Sequence, residues 1–350
     1  MANERITMAR LAEELDISIA TVSNAYNRPE KLSVGLRRRI EALAKELGYV
    51  GPDPTARSLR RRRTGGVGVV FTDELPFVFT DPASAGFLSG VAHVLGERDQ
   101  HLVLLPAGAP HRRRRAPVDA AALDGVIFHS LPSQEATLAL LQRRGTPAVL
   151  VDQPGPVDGV GWVGLDETAA MHRVGALLAS LGHVNVGCIT SRLGTSPRNG
   201  PADARRVARS RFTIPRDRIR GLQLGLGRPV LVEERWSITT ADGADGAAAL
   251  LRRNPRLTAI AAVADTYALG ALLWAKDHHV QVPEHLSVTG FDDIPSATSA
   301  GLTTVRQPFD LKGRTAARIL NKAFDHTGPA ALERLDTELV VRSSTGPPLM

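Results

Sequence analysis

The side chains whose types and spacing could do chemistry first gather on one face of a short helix near the N-terminus. Hydrophobic spacing predicts this helix over Ile19–Tyr26, with Val22 turned inward. Its other face presents apolar, hydroxyl and amide groups at spacings of one, three and four, namely Ile19, Ala20, Ser23, Asn24 and Asn27. Hydroxyl and amide groups both donate and accept hydrogen bonds, so this face is suited to contact a polar partner.

Two further helices are predicted to position that face. Thr7 can cap a helix over Met8–Leu15, the turn Asp16–Ser18 follows, and a third helix extends from Ser33 to a stop at Gly48. Two short helices joined by a tight turn, with a third closing the core, is helix-turn-helix architecture, whose second helix enters the major groove of DNA. A generic three-helix bundle has the same pattern, and composition alone does not separate the two.

The charge distribution points to the same segment. The chain has 43 basic and 36 acidic residues, a net charge of +7. Residues 1–64 hold 13 basic and 8 acidic residues, which leaves +5 there and favours a polyanionic partner. Two other basic runs, Arg112–Arg115 and Arg192–Arg220, are interpreted as solvated loops.

Composition excludes several classes of protein. A chain of 350 residues that is 43% hydrophobic buries enough apolar area for two or three domains and is not disordered. A single cysteine, Cys188, excludes a disulfide framework and a multi-cysteine zinc site. The first twenty residues contain no secretory signal, and no apolar stretch approaches the ~20 residues that span a bilayer, so we expect a soluble, cytosolic protein without membrane contact.

Beyond residue 64 the sequence alternates between apolar strands and helices, beginning with a strand over Val67–Phe71 and a helix over Pro82–Gly96. This alternation predicts parallel sheets covered on both faces, arranged as two α/β lobes with a cleft at the carboxyl ends of their strands. The run Gly65–Gly68 is followed by a strand, which argues against a dinucleotide fingerprint. The pattern contains no nucleophile elbow, credible carboxylate pair or metal-ligand cluster, so we expect neither an enzyme nor a cofactor.

Particular runs of residues resemble the LacI/GalR family of bacterial transcription regulators over nearly the whole chain. In the first sixty residues the matching pieces are Ala12, Ser18-x-x-Thr21-Val22-Ser23, Asn27, Ser33, Leu47-Gly48-Tyr49 and Ala56-Arg57-Ser58-Leu59. Further along they are Leu123–Ile127, Ser180–His183, Ala268–Ala271, Val282–Glu284, Ser287–Asp293 and Leu302–Pro308. The sequence departs from the family pattern in having Asp16 where Gly is usual and in the extra residue Gly51.

The resemblance implies an α/β fold of three parts. A three-helix helix-turn-helix headpiece (1–52) is followed by a hinge helix and linker (53–64), then by a two-lobed periplasmic-binding-protein-like domain of parallel sheets (65–350). The first lobe would comprise about 65–165 and 294–324, and the second about 166–293 and 325–345. A return strand near Leu339–Val341 would complete the second lobe.

The resemblance also implies how DNA is contacted. Ile19, Ala20 and Asn24 would face base edges, with Asn24 suited to adenine. The residues implied to contact the DNA backbone are Ser18, Thr21, Ser23, Asn27, Arg57 and Arg60. Within a hinge helix over Pro54–Arg62, Leu59 would be the wedge inserted into the minor groove. The expected partner is a pseudo-palindromic double-stranded operator bound by a homodimer.

Polar and aromatic residues near strand ends are the candidates for binding a small-molecule effector, for which a carbohydrate is the expected class. They are Asp152, Arg218, Trp236, Asp292, Gln307 and Phe309, with Phe79 and Asp81 as weaker candidates. Alternatively Asp152 and Asp292 only cap helices, and Trp236 is lobe core. Ala264 replaces the usual Asn of the family and leaves Asp265 as the expected helix cap, so we expect simple hexoses to bind poorly.

Three functions remain to be weighed. The favoured one is a transcriptional regulator, with repression as the expected direction, whose operator affinity a small molecule sets. A regulator with an atypical effector or none is the first alternative. A transport solute-binding protein would share the two-lobed fold, but it should carry a signal peptide and no helix-turn-helix.

Overall fold

The structure is a computed structural model that describes residues 6–51, 64–73, 75–106, 122–133, 138, 143, 145–325 and 330–349. Contacts divide the chain into two units, residues 1–65 and 66–350. The implied hinge residues Arg57, Leu59 and Arg60 lie outside the described residues, as does the basic run Arg112–Arg115. Across the described residues, no helix combines the length and the apolar character needed to cross a membrane.

The first unit contains three helices, α1 (Met8–Leu15), α2 (Ile19–Asn27) and α3 (Val34–Leu47), with a short 3-10 turn over Pro29–Lys31 before α3. Each helix begins at a hydroxyl residue whose side chain accepts a hydrogen bond from a backbone N–H three residues on. Leu11, Val22 and Ile40 are fully buried, one from each helix. The predicted bounds of α1 and α3 are confirmed, because caps and apolar spacing agree there.

The second unit alternates strands and helices. In chain order its elements are β1 (Gly66–Phe71), α4 (Leu75–Thr80), α5 (Pro82–Gly96), β2 (His101–Pro106), β3 (Gly125–His129), β4 (Ala148–Val151), β5 (Gly161–Leu165), α6 (Glu167–Ser180), β6 (Val186–Thr190), β7 (Gly200–Ala202), α7 (Ala204–Ala208), α8 (Thr213–Leu226), β8 (Leu231–Glu234), α9 (Thr240–Arg253), β9 (Ala259–Ala262), α10 (Asp265–Asp277), β10 (Ser287–Thr289), α11 (Pro295–Ser299), β11 (Thr304–Arg306), α12 (Phe309–Phe324), β12 (Leu332–Leu335) and β13 (Glu338–Val340).

Two sheets give this unit its two lobes. The first has six strands in the order β12-β5-β4-β3-β1-β2, all parallel. The second has five in the order β10-β9-β6-β8-β7, parallel except for the edge strand β7. Their strands are largely buried because helices cover both faces, as the near-continuous apolar runs predict. The predicted fold class is confirmed.

The C-terminal part of the predicted lobe boundaries is wrong. Strand β12 pairs with β5, Leu332 opposite Trp162, so residues 332–335 extend the first sheet rather than belong to the second lobe. Helix α12 packs on the first sheet and delivers the chain to the free edge of β5. The strand expected near Leu339–Val341 is β13, which pairs antiparallel with β11 in a separate two-stranded sheet. Residues 294–302, which we assigned to the first lobe, pack in the core of the second.

The chain therefore passes between the lobes three times, near Asp166, through β11 and through β13. The second and third passages are hydrogen bonded to each other, because Thr304 lies opposite Val340 and Arg306 opposite Glu338. A two-stranded ribbon thus joins the lobes.

Helices pair in each lobe by close backbone approach at glycine. A Cβ on Gly90 of α5 would lie 2.0 Å from the carbonyl oxygen of Asp310 in α12. The same holds in the second lobe, where a Cβ on Gly225 of α8 would lie 2.0 Å from the carbonyl oxygen of His172 in α6. Only glycine permits such contacts, which accounts for some of the chain's 32 glycines.

The basic stretch Arg192–Arg220, interpreted from sequence as a solvated loop, is folded into β7, α7 and most of α8. Glu234, at the end of β8, is fully buried and gathers two of these arginines, Arg198 and Arg206, within hydrogen-bonding distance. A buried carboxylate paired in this way orders the arginines instead of leaving them in water.

Candidate functional site

The side chains assigned to base edges lie on the outward face of α2, where a partner can reach them. Ile19 is 49% exposed and Ala20 is exposed, while Val22 and Ala25 of the same helix are buried. The Asn24 side chain is half-buried, and among the described residues no hydrogen bond to it is found. Its amide can therefore offer both a donor and an acceptor to a partner.

The described residues assigned to the DNA backbone are instead hydrogen bonded in two pairs, Ser18 with Thr21 and Ser23 with Asn27. The Ser18 hydroxyl accepts the Thr21 N–H at 3.0 Å and lies 2.8 Å from the Thr21 hydroxyl. One turn on, Asn27 Nδ2 donates to the Ser23 carbonyl at 3.0 Å and to the Ser23 hydroxyl at 3.1 Å. These bonds fix the side-chain rotamers beside the base-facing residues.

The turn before α2 contains Asp16, which stands where the family usually has Gly. Asp16 has φ 52° and ψ 48°, the left-handed region, and its N–H bonds back to the carbonyls of α1. Aspartate adopts this region more readily than most residues, so it can replace the usual glycine.

A cavity lies between the lobes, where strands of both sheets end. Of the eight predicted effector residues seven line it: Asp81, Asp152, Arg218, Trp236, Asp292, Gln307 and Phe309. The eighth, Phe79, is 68% exposed on α4 and does not line the cavity. Phe77, two residues earlier on the same helix, does.

A chain of polar contacts crosses the cavity wall. Lys312 of α12 is 2% exposed and forms an ion pair with Asp152 at 2.8 Å. Its ammonium also donates to Gln307 Oε1 at 2.7 Å, and Gln307 Nε2 donates to Asp292 Oδ1 at 2.6 Å. Sequence reasoning missed Lys312, since a lysine on an amphipathic helix reads as a solvated side chain.

Arg218 lines the cavity, and its guanidinium is hydrogen bonded to other residues of the second lobe. Its Nε donates to Glu167 Oε2 at 2.7 Å and its Nη1 to the Val263 carbonyl at 2.5 Å. The guanidinium carbon lies 3.4 Å from the centre of the Phe291 ring. Both ions of the pair are less than a tenth exposed, so the contact is a buried salt bridge.

Arg192, after β6, is a cavity residue that the sequence prediction did not include. It forms an ion pair with Asp73, after β1, at 2.7 Å, and donates to the Thr72 hydroxyl at 3.2 Å. Its guanidinium carbon lies 5.1 Å from the centre of the Phe212 ring and 5.5 Å from that of Trp236. The Trp236 indole, one of the predicted effector residues, thus lies beside a cation of the protein itself.

Burial raises the pKa of two neighbouring carboxyl groups, that of Asp292 after β10 and that of Asp265 at the start of α10. It raises the pKa of Asp292 well above its ordinary value; Arg218 opposes the shift and Asp265 adds to it. Burial likewise raises the pKa of Asp265 to about 6, against hydrogen bonds from the Thr304 hydroxyl and the Ile294 N–H. The expectation that Asp265 caps its helix is wrong, because its carboxylate bonds to these two residues instead.

Other candidate chemistry is absent from the described part of the chain. Its histidine, cysteine and acidic side chains form no group of three or more that could hold a metal ion. Cys188 is fully buried in β6, and burial raises the pKa of its thiol to about 12, so it is a packed, unreactive side chain.

A helix-turn-helix unit with an open recognition face, followed by two α/β lobes around a polar cavity, defines a ligand-responsive DNA-binding protein. A family model described as a periplasmic binding protein-like domain matches residues 176–345. The chain is 41% identical over 352 residues to the HTH-type transcriptional regulator Rv3575c of Mycobacterium tuberculosis, covering 98% of each.

Solved structures agree. A LacI family transcriptional regulator from Corynebacterium glutamicum is 32% identical with a TM-score of 0.74, covering 97% of this chain and 98% of that one. The complex of the transcriptional regulator CelR with cellobiose is 26% identical with a TM-score of 0.69, covering 97% of this chain and 100% of that one. The protein belongs to the LacI/GalR family of transcriptional regulators, and the family predicted from the sequence is confirmed.

Proposed function

We propose that the protein is a homodimeric repressor that binds a pseudo-palindromic operator. A small effector bound in the cavity changes its affinity for that operator, either lowering or raising it. The observation that supports this is the cavity between the lobes in a chain that also carries an open recognition helix. An effector in contact with both lobes favours one inter-lobe arrangement, and its affinity and that of the operator then change each other by equal factors. Such a protein acts in the cytoplasm at the nucleoid and binds its ligand without transforming it.

The proposed effector is a neutral, polyhydroxylated molecule. Among the described residues that line the cavity, each arginine or lysine has an acidic partner: Arg192 with Asp73, Arg218 with Glu167 and Lys312 with Asp152. A phosphate or carboxylate entering the cavity would have to displace one of these acids. A hydroxyl can share them, because it donates to a carboxylate and accepts from an ammonium or guanidinium group. The cellobiose bound by CelR supports carbohydrate chemistry of this kind.

The test begins with selection of an operator from random DNA, followed by fluorescence anisotropy with that operator. Monosaccharides, disaccharides, cyclic polyols, nucleosides and sugar phosphates are added in turn. We expect a neutral member to change the operator Kd and the phosphate esters to have little effect. Tighter binding of a phosphate ester than of its parent alcohol would contradict the neutral-effector proposal while leaving the regulator proposal in place.

The proposed DNA contacts outside the described residues have their own test. Leu59→Ala should weaken binding to the operator much more than binding to random DNA, because the wedge acts only where the duplex kinks. Neutralising Arg57 and Arg60 should flatten the dependence of log affinity on log salt, as expected for lost phosphate contacts. Equal losses on both DNAs for Leu59→Ala, or an unchanged salt slope for the arginine variants, would contradict these roles.

A further inference from the structure

The arginine-rich stretch contains an ordered segment, residues 192–214, that we name the cleft segment. Glu234 anchors it by accepting the Leu193 N–H at 2.8 Å, Arg198 Nη1 at 2.8 Å and Arg206 Nη2 at 2.7 Å. Burial alone would raise the pKa of Glu234, but these hydrogen bonds hold it below its ordinary value, so the anchor is ionised at neutral pH. The Arg211 N–H closes the segment on the Leu193 carbonyl at 2.8 Å.

This segment belongs to the second lobe and yet contacts the first lobe at three separate points. Arg192 meets Asp73 and Thr72, as described above. Next, Arg211 Nη2 donates to the Ser133 carbonyl at 2.7 Å, and the Ser133 N–H donates to the Arg211 carbonyl at 2.8 Å.

The third point lies at the start of α8, where the Ile214 N–H donates to Gln153 Oε1 at 3.1 Å. These contacts come from one short stretch of the second lobe and reach residues that follow β1, β3 and β4 of the first. A single folded segment therefore spans the cavity.

We propose that the cleft segment is a latch that holds the lobes together without effector, and that the Arg192–Asp73 pair is the part an effector must open or rearrange. The proposal rests on the effector site proposed above. Both residues of the pair line the cavity, and their side chains are 18% and 27% exposed, so solvent and ligand can reach them. Because the Arg192 guanidinium lies over the Trp236 ring, an effector that stacks on the same face of this indole must displace it.

In this proposal the hydrogen bonds of Arg198 and Arg206 to Glu234 support the latch. They do not touch the cavity, since neither residue lines it, but they set the position from which Arg192 and Arg211 reach the first lobe. They are positioning residues for the latch. The effector consequently acts against contacts that are already made, and its affinity is lower than the cavity alone would give by the cost of opening them.

The experiment measures the inter-lobe distance with spin labels on His93→Cys in the first lobe and Asp245→Cys in the second, both exposed positions. Buried Cys188 should stay unlabelled. Labelled protein is diluted with unlabelled protein so that each distance reports one chain, and neither DNA nor effector is present. Asp73→Asn and Arg192→Gln are compared with the parent, alone and combined. Arg98→Gln is the matched control, because it removes an exposed ion pair, with Asp325, that lies within the first lobe.

We expect Asp73→Asn and Arg192→Gln each to broaden the distance distribution and shift its mean, and the double variant to do no more than either single one. The control should match the parent. High NaCl should move the parent toward the variants, since salt screens a partly exposed ion pair. Circular dichroism confirms that each variant is folded. An unchanged distribution in both folded single variants would overturn the latch, whether or not an effector is ever found.

If the latch holds but no compound in the panel changes operator affinity, the proposed effector function fails and the latch remains as a structural contact. If an effector is found, the Arg192→Gln variant should bind it more tightly than the parent does, because the variant lacks the Arg192–Asp73 pair that competes with the effector. Equal or weaker binding would overturn the competition while leaving the effector site itself standing.

Discussion

The recognition face of α2 and the wall of the cavity differ in whether their functional side chains already have partners within the protein. On α2 the side chains assigned to base edges are exposed or, like Asn24, without a hydrogen bond among the described residues. In the cavity the cations are already paired with acids of the protein. A partner can therefore add to the contacts of α2, whereas in the cavity it must exchange with contacts that exist.

Because of this difference, substitutions at the two places should affect different quantities. Substituting an exposed recognition residue should change DNA affinity with little change in the free energy of unfolding. Substituting one member of a buried pair leaves a charge without its partner and should destabilise the fold.

The largest expected effect is on stability at Arg218. Arg218→Ala leaves Glu167 buried without its cation and should lower the free energy of unfolding by ~3–5 kcal/mol, measured by urea denaturation. Arg98→Ala, which breaks an exposed pair, should cost at most about 1 kcal/mol. Similar small losses in both variants would remove the contrast between the cavity and the recognition face.

The next effect is on DNA affinity at Asn24. Asn24→Ala should weaken operator binding by ~1–3 kcal/mol per half-site and relax the preference at one base pair, as expected for a lost bidentate contact to a base. Its free energy of unfolding should stay within about 0.5 kcal/mol of the parent. Site selection with the variant checks the first expectation, and an unchanged preferred sequence would show that Asn24 reads no base.

A smaller effect is expected on the pH dependence of the free energy of unfolding, through Asp265. Because the pKa of this carboxyl rises from 3.8 to about 6 on folding, the folded state keeps a proton that the unfolded chain releases between those values. The stability that this adds is complete below pH 3.8 and is lost as the pH rises through about 6. The difference in unfolding free energy between the parent and Asp265→Asn should accordingly change across this range. A difference independent of pH would contradict the raised pKa.

The smallest effect is expected at Ile19, which can offer only apolar contact. Ile19→Ala removes methyl and methylene groups and should cost about 1 kcal/mol or less per half-site, with a changed preference at a base pair next to the one read by Asn24. Selection of binding sites with both variants sharpens the comparison. The same altered base pair for both would show that the two residues do not read separate positions.

The first unit was predictable because local signals determine it. Thr7, Ser18 and Ser33 each precede an apolar helical pattern, and Gly48 ends the last one, so caps and periodicity gave its helices almost to the residue. Strand β1, predicted over Val67–Phe71, was equally clear as a short apolar run.

What could not be predicted depends on residues far apart in the chain. The Lys312–Asp152 pair spans 160 positions and the Arg192–Thr72 contact 120, and no local pattern announces either partner. Strand β12 was missed for the same reason, since its exposed residues gain a place only from the free edge of β5. Glu234, which turns a basic stretch into ordered structure, resembles any strand-end carboxylate until the arginines are seen around it.

The glycine contacts between helices have a mechanical consequence. Where one backbone rests on another at Gly90 and Gly225, no side chain lies between the helices that could change rotamer and absorb a displacement. Each lobe should then move as a stiff body, with torsion concentrated in the three passages between them. Two of those passages are the paired strands β11 and β13, which resist sliding past each other because Val305 and Leu339 are locked in register. The ribbon would act as an axle, and opening the cavity would turn one lobe about it.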